Sequence, residues 1–224
     1  MGLVYRARDS RLNRTVAIKV LSHQVSNASE LKQRFEREAQ TVAALNHPYI
    51  CTLYDVGHDA DIDYLVMEYL DGETVAQRLE RGRMPVDQVL KYAIQIADAL
   101  DKAHRQGVTH RDLKPSNIMI TKSGAKLLDF GLAKLRQDAQ APTALSALPT
   151  NAAMTAQGTI LGTLQYMSPE QVEGLEADAR SDIFAFGALL YEIVTGRKTF
   201  VGKSQASIIA AILAGVVLLL VNTF

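Results

Sequence analysis

Apolar side chains recur along the chain with two different spacings, and the spacing changes near residue 70. Short runs rich in β-branched and aromatic residues predict three early strands, at 16–21, 50–56 and 64–69. Between the first two, apolar residues three and four positions apart predict an amphipathic helix from Ser29 to Leu45, with Ser29 as a candidate N-cap. The N-terminal part is therefore expected to be mostly β-structure with one helix.

The pattern becomes mainly helical after the turn residues 71–73. The longest predicted helix runs from Val86 to Gln106, and Gly107 follows where a helix C-cap belongs. Residues 137–159 lack periodicity and are rich in Ala, Thr, Pro and Gln, which predicts a loop. The remaining predicted elements are short strands at 118–120 and 126–128 and helical segments at 171–173 and 183–196.

Composition restricts the class of protein. The chain has 224 residues, 48% hydrophobic and 21% charged, which is the balance of a globular enzyme. Its 24 basic and 24 acidic residues give a net charge of zero, which argues against a nucleic-acid partner. A single cysteine, Cys51, excludes an intrachain disulfide, and residues 1–14 lack an apolar signal segment. A cytoplasmic location is therefore expected.

The C-terminal end is more apolar than the rest. Residues 206–221 contain one polar side chain, Ser207. Roughly 16 residues are fewer than the ~20 that a membrane helix usually needs. Three interpretations are open, in order of preference: a frame-shifted end, a helix that covers the preceding domain, and a marginal membrane helix.

The densest group of chemically useful residues lies between His110 and Asn117. The carboxylate of Asp112 is followed by Lys114 and Asn117, and a second carboxylate, Asp129, comes shortly after. A carboxylate can orient a hydroxyl and accept its proton, and a lysine can neutralise phosphate charge. Asn117 and Asp129 offer the oxygen ligands that Mg²⁺ prefers. The group therefore indicates phosphoryl transfer from ATP.

Together with the Val-Ala-Ile-Lys run at 16–19, the Asp-Phe-Gly run at 129–131 and the Gly-Thr to Pro-Glu run at 162–170, this group resembles serine/threonine protein kinases of the Hanks type, bacterial members most of all. The resemblance extends from Met1 to about Ile212. It implies an α+β, two-lobed protein kinase fold. The implied regions are a small β-rich N-lobe with one helix at 1–70, a larger mostly helical C-lobe at 71–213, and an apolar tail at 214–224.

The resemblance also implies a role for individual residues. Asp112 is the expected catalytic base, Lys114 and Asn117 act beside it, and Asn117 and Asp129 are the expected metal ligands. The residues implied to bind ATP are Gly2, Val4, Ala17, Lys19, Glu38, Met67, Glu68, Leu70, Asp71, Met119 and Asp129.

Within that nucleotide set, Lys19 is expected at the α- and β-phosphates. Glu38 is expected to orient Lys19 through an ion pair, with Glu36 as a competing candidate. The segment 67–70 resembles the hinge: the backbone of Glu68 and Leu70 would bind adenine. Met67 is implied to be the gatekeeper residue, and the side chain of Asp71 is implied to contact the ribose.

The segment 162–170 resembles the peptide-positioning loop. Thr163 is expected to bond to Asp112 and Lys114, and Asp182 is expected to brace the catalytic loop, residues 110–117, from a buried helix. Arg111 is expected to pair with a phosphate on the loop, for which Thr155 and Thr159 are candidates.

Two departures from the family pattern matter. Only Gly2-Leu3-Val4 matches the glycine-rich loop, and no helix after residue 213 supplies the arginine expected to pair with Glu170. The sequence predicts a protein serine/threonine kinase that uses ATP and Mg²⁺ and phosphorylates proteins, the chain itself included. The alternative is a truncated, weakly active or inactive kinase-like module that acts by binding nucleotide or a partner.

Overall fold

The structure is a computed structural model that describes residues 3–21, 29–59, 62–130 and 163–221. The elements in these ranges are, in order, β1 (Val4–Asp9), β2 (Arg14–Val20), α1 (Ser29–Ala43), β3 (Leu53–Asp59), β4 (Ile62–Glu68), β5 (Gly72–Thr74), α2 (Val75–Leu79), α3 (Val86–Arg105), β6 (Ile118–Thr121), β7 (Gly124–Leu127), α4 (Pro169–Val172), α5 (Ala179–Thr195) and α6 (Gln205–Val221). A 3₁₀ turn, Pro115–Asn117, precedes β6.

The first four strands form one antiparallel sheet in the order β1-β2-β4-β3. Side chains alternate between the two faces of a strand, so Ala17 and Lys19 of β2 share a face while Val16 is buried on the other. The register sets Ala17 opposite Met67 and Lys19 opposite Leu65 of β4. The sheet thus fixes Lys19 and Met67 near one another.

Helix α1 packs against β3 through its apolar stripe. Phe35, Ala39 and Val42 are buried, at the spacing of four and three that predicted the helix. The helix begins at Ser29 itself, so this residue is the first helical position, where the sequence indicated an N-cap.

The second part of the chain is built around α3. This helix buries Val89, Ile96 and Leu100, as its periodicity predicted. It ends at Arg105, and Gly107 then adopts φ +73°, a left-handed conformation that glycine tolerates at a helix end. The side chain of Gln95 accepts a 2.8 Å hydrogen bond from the backbone N–H of Ala125, which joins α3 to the β5-β6-β7 sheet.

Helix α5 lies in the core of this second part. It buries Ala185, Leu189 and Ile193, and it ends at Thr195, after which Gly196 has a φ of +71°. Helix α6 continues through residue 214, where the sequence placed the start of a separate tail. Among the helices that the structure describes, none is long and apolar enough to span a membrane.

Three short elements, β1, β5 and α2, were not predicted. The side chains of Val4 and Tyr5 in β1 are both more than half exposed, so this strand lacks the alternation of buried and exposed residues that predicts a strand. Among the described strands, β1 lies at the edge of its sheet and pairs with β2. The predicted strand at 50–56 is displaced to Leu53–Asp59. Its first residues instead join the second sheet: Ile50 bridges to Leu127, and Cys51 N–H donates to the Leu127 carbonyl at 2.8 Å.

Candidate active site

Asp112, Lys114 and Asn117 lie together in the loop between α3 and β6. Lys114 Nζ is 2.8 Å from Asp112 Oδ2. Asn117 Nδ2 donates to the backbone carbonyl of Asp112 at 2.8 Å and to its Oδ2 at 3.1 Å. Lys114 Nζ also contacts Thr163 Oγ1 at 3.2 Å, which confirms the predicted contact between these two residues.

Asp182 of α5 holds the backbone of this loop, as predicted. Its carboxylate is almost fully buried and accepts hydrogen bonds from the backbone N–H of His110 at 2.7 Å and of Arg111 at 2.8 Å. His104 Nε2 lies 2.7 Å from the same carboxylate. The partners satisfy a buried charge that would otherwise be costly.

The backbone at Arg111 is strained. Its φ is +64°, in the left-handed region that non-glycine residues rarely occupy. Such a conformation costs on the order of 1–3 kcal/mol and persists only where the surroundings impose it. The hydrogen bond from Arg111 N–H to Asp182 is one such restraint, and Arg111 is directly followed by Asp112.

His110 connects the catalytic loop to the end of β7. Its fully buried ring lies with Nε2 2.9 Å from the Leu128 carbonyl, while Nδ1 accepts from Asp112 N–H at 3.3 Å. These partners select the neutral ring with its hydrogen on Nε2. Burial lowers the pKa of His110, although the nearby carboxylates of Asp182 and Asp112 act in the opposite direction.

Lys19 and Asp129 form a direct ion pair, with Nζ 2.5 Å from Oδ2. They face a pocket between the first sheet, α1 and the end of β7. Apart from this pair its walls are mostly apolar and comprise Val42, Cys51, Leu53, Leu65, Met67 and Phe130. The site therefore combines an apolar chamber with one cation and one carboxylate at its edge.

The predicted ion pair between Lys19 and Glu38 is not the pairing that the structure shows. Lys19 pairs with Asp129, and the Glu38 carboxylate lies 3.9 Å from Arg111 Nη1 of the catalytic loop. The apolar stripe fixes which face of α1 meets the sheet. It does not fix how closely the helix approaches β2, and that approach decides which cation Glu38 reaches.

The side chain of Glu68 has a role that the sequence did not reveal. Its carboxylate lies 2.7 Å and 2.9 Å from Lys126 Nζ of β7 and accepts from Thr52 N–H at 3.3 Å. Its backbone carbonyl accepts from the thiol of Cys51, with Sγ 3.7 Å away. Burial, followed by the charge of Glu68, raises the pKa of Cys51 to about 12, so the thiol stays protonated.

Glu170 has a partner, contrary to the expectation that it would lack one. The hydroxyl of Ser181 donates to Glu170 Oε1 at 2.5 Å. Burial raises the pKa of Glu170, but hydrogen bonds from the Ser181 hydroxyl, from the backbone of Glu170 itself and from Ser168 together outweigh it, and the pKa lies below its ordinary value. A hydroxyl on α5 is thus the hydrogen-bond partner of Glu170.

A buried network ties the peptide-positioning loop to α5. Tyr166 Oη donates to Glu192, Lys198 Nζ lies 2.9 Å from Glu192 Oε1, and Lys198 Nζ is 2.5 Å from Tyr166 Oη. Burial and then the Glu192 carboxylate raise the pKa of Tyr166. No periodicity or motif in the sequence indicated Glu192 or Lys198.

The other predicted nucleotide residues are spread over neighbouring elements. Ala17 and Met119 are half-buried on β2 and β6, Leu70 is half-buried after β4, Val4 is exposed on β1, and Asp71 is exposed. Several predicted positions lie outside the described residues, namely Gly2, Thr155, Thr159 and Gly162.

The arrangement can perform acid–base and electrostatic chemistry at one place. Asp112 has oxygens that can take a proton, and Lys114 places a positive charge beside them. The amide nitrogen of Asn117 faces Asp112, so its amide oxygen is directed away from that carboxylate. That oxygen and the Asp129 carboxylate are the donor types that fit a magnesium ion.

A family profile described as the protein kinase domain matches residues 1–222, and the chain therefore belongs to this family and has its two-lobed α+β fold. Curated relatives agree. The chain is 42% identical over 214 residues to a probable serine/threonine-protein kinase of Streptomyces coelicolor, and 41% identical over 214 residues to the serine/threonine-protein kinase PknB of Mycobacterium leprae. It is 38% identical over 209 residues to a probable serine/threonine-protein kinase of Clostridium acetobutylicum.

These alignments cover most of the chain and a minor part of each relative. They include 93% of the chain for the first two relatives and 92% for the third. The chain spans 30%, 32% and 30% of the lengths of those three proteins.

Proposed function

We propose that the chain is a protein serine/threonine kinase that transfers the γ-phosphoryl group of MgATP to serine or threonine hydroxyls of proteins, its own included. The observation that supports this best is the group formed by Asp112, Lys114 and Asn117, with Asp112 Oδ2 2.8 Å from the ammonium and 3.1 Å from the amide. The buried carboxylate of Asp182 holds the backbone of that group in place.

In the proposed reaction, Asp112 orients the substrate hydroxyl and accepts its proton. The hydroxyl oxygen bonds to the γ-phosphorus, the bond from that phosphorus to the β–γ bridging oxygen breaks, and ADP leaves. Lys114 neutralises charge on the transferring group, because its ammonium already lies beside Asp112. Thr163, which contacts Lys114 at 3.2 Å, joins the peptide-positioning loop to the catalytic loop.

The nucleotide is proposed to lie at the pocket edged by Lys19 and Asp129. Lys19 binds the α- and β-phosphates, and Asp129 and Asn117 are the proposed ligands of Mg²⁺, which neutralises phosphate charge when bound. The backbone of Glu68 and Leu70 is proposed to bind adenine. The proposed side-chain contacts around the nucleotide are Val4, Ala17, Glu38, Met67, Asp71 and Met119, with Gly2 at the phosphates.

The proposed lobes are residues 1–70 and 71–213, with the nucleotide between them. The four-stranded sheet with α1 belongs to the first lobe, and α3 and α5 belong to the second. The proposed partners are ATP and proteins that carry a serine or threonine.

Transfer of labelled phosphate from ATP tests the proposal. We expect the purified chain to label itself or a generic protein on serine or threonine. Asp112→Asn should reduce the rate by at least about 100-fold, because proton transfer by a positioned side chain contributes roughly 10²–10⁴. Asp101→Asn, a change of the same kind at an exposed residue of α3, should leave the rate unchanged.

Two results would contradict the proposal. One is a folded chain that transfers no phosphate, and the other is an Asp112→Asn variant as active as the parent. Nucleotide binding without transfer would instead support a kinase-like module that acts by binding.

A further inference from the structure

The carboxamide of Gln171 connects two loops of the site. Its Nε2 donates to the backbone carbonyl of Arg111 at 2.9 Å. Its Oε1 accepts from the backbone N–H of Ser168 at 3.1 Å, at the start of α4. One amide therefore bonds to the catalytic loop with its donor and to the peptide-positioning loop with its acceptor.

The Arg111 end of this bridge lies at the most strained point of the loop. The φ of +64° at Arg111 has to be imposed by its surroundings. Two side chains do so from opposite sides of the residue: Asp182 accepts its N–H at 2.8 Å, and Gln171 donates to its carbonyl at 2.9 Å. The peptide that Gln171 holds is the one that carries Asp112.

We propose that Gln171 is a positioning residue for phosphoryl transfer. By fixing the carbonyl of Arg111 it sets the orientation of Asp112, and through Ser168 it couples that orientation to the loop that positions the peptide substrate. Gln171 also lines the same small cavity as Asp112 and Thr163, which places the bridge beside the proposed reacting groups. This inference rests on the proposed function.

The chemistry of the side chain separates this role from a simple helix cap. Glutamate is as good as glutamine at the third position of a helix for accepting the N-cap N–H. Gln171→Glu therefore keeps the bond from Ser168 N–H and replaces the donor with a second acceptor that faces the Arg111 carbonyl. If Gln171 acted only as a helix cap, this change would have no effect on the site. If Gln171 also bridges to the catalytic loop, the change removes that bridge.

Helix α2 supplies a matched control. Gln77 caps it in the same way, with Oε1 accepting from Thr74 N–H at 2.8 Å. Gln77 is exposed, and in the sequence it lies far from the peptide-positioning loop at 162–170. Gln77→Glu makes the same chemical change in the same kind of cap.

The experiment compares the parent, Gln171→Glu and Gln77→Glu in steady-state kinetics and in amide hydrogen exchange. We expect Gln171→Glu to lower kcat about tenfold, with KM for ATP and the melting temperature within error of the parent. Exchange should accelerate at residues 110–112, whose amides bond to Asp182 and His110. Gln77→Glu should match the parent in both measurements. If the glutamate variant does not fold, Gln171→Met removes both the donor and the acceptor without adding charge. Its control is Gln77→Met, which loses the same kind of cap, and Gln171→Met should lower kcat while Gln77→Met should not.

The exchange measurement keeps this inference separate from the proposed function. If the parent transfers no phosphate, the proposed function fails, and faster exchange at 110–112 in Gln171→Glu still supports the bridge. Parent-like kcat and parent-like exchange in that variant would overturn the inference. Equal losses in Gln77→Glu would also overturn it, because they would trace the effect to helix capping.

Discussion

His110 shows how one buried side chain can serve both the fold and the site. Its two ring nitrogens bond to the Leu128 carbonyl and the Asp112 N–H, and its ring lies 4.7 Å from that of Phe130. Protonation would put a hydrogen on Nδ1, where the ring now accepts a bond, and would bury a charge. The folded protein therefore favours the neutral ring.

This preference predicts a pH dependence of stability. In the unfolded chain His110 takes up a proton as the pH falls below about 6.5, the ordinary pKa. The folded protein, with its lowered pKa for His110, does not take up that proton until a lower pH. The stability that His110 contributes is therefore complete above about pH 6.5 and falls as the pH drops towards the lowered value, by up to about 1.4 kcal/mol per pH unit.

Urea unfolding of the parent and His110→Phe between pH 7.5 and 5 tests this. Other groups titrate in both proteins and cancel in the difference. We expect a shallower loss of unfolding free energy with acid in the variant. Identical slopes would show that His110 takes up its proton equally in the folded and unfolded states.

The sequence predicted which residues form the site better than it predicted which of them pair with one another. Asp112, Lys114 and Asn117 are close in sequence, so one loop has to bring them together. The pairing of Lys19 with Asp129 depends on how two separate parts of the chain meet. Gln171 gave no signal either, because its function depends on a backbone carbonyl that the sequence does not display.

At the scale of elements, α5 acts as a platform for both loops of the site. Asp182 in its first turn holds the catalytic loop, and Glu192 near its end holds Tyr166 of the peptide-positioning loop. Both carboxylates are buried, so each depends on its partners. Lys198, which is partly exposed, supplies the positive charge for Glu192.

Removing Lys198 should therefore destabilise the fold. Lys198→Ala leaves the buried carboxylate of Glu192 without its cation. A fully buried pair loses about 3–5 kcal/mol in this way, and partial exposure of Lys198 reduces the expected cost to about 2 kcal/mol. The double variant Lys198→Met with Glu192→Gln removes both charges and should recover most of the loss. A single variant within about 0.5 kcal/mol of the parent in urea unfolding would contradict the prediction.

The elements that the sequence predicted well are those with one buried face. The stripes of α1 and α3 are set by residues that must leave water, and the structure buries them. The strands β1 and β5 and the helix α2 are short or exposed, and their conformations come from neighbours in space. The start of β3 differs for a related reason, since Ile50 and Cys51 bond to β7 from the other sheet.

At the scale of the whole molecule, the proposed nucleotide pocket depends on contacts between the N-terminal part of the chain, with the first sheet, and the later part, with β7 and Asp129. Glu68, the last residue of β4 in the first sheet, pairs with Lys126 of β7, and Cys51 bonds to the backbone of Leu127. Lys19 and Asp129 form a further contact across the pocket, at 2.5 Å. A ligand that binds both of these charged groups should therefore stabilise the complete fold.

We expect MgATP to raise the melting temperature of the chain, since a ligand at 100 times its Kd adds about 2.7 kcal/mol of stability. The increment with Mg²⁺ should exceed that with ATP and EDTA, because Asp129 is proposed to bind ATP through the metal. In Asp129→Asn the difference between these two conditions should disappear, while in the exposed variant Asp101→Asn it should persist. Thermal unfolding at a series of MgATP concentrations measures both effects. An Asp129→Asn variant that keeps the full Mg²⁺-dependent increment would show that the metal binds elsewhere.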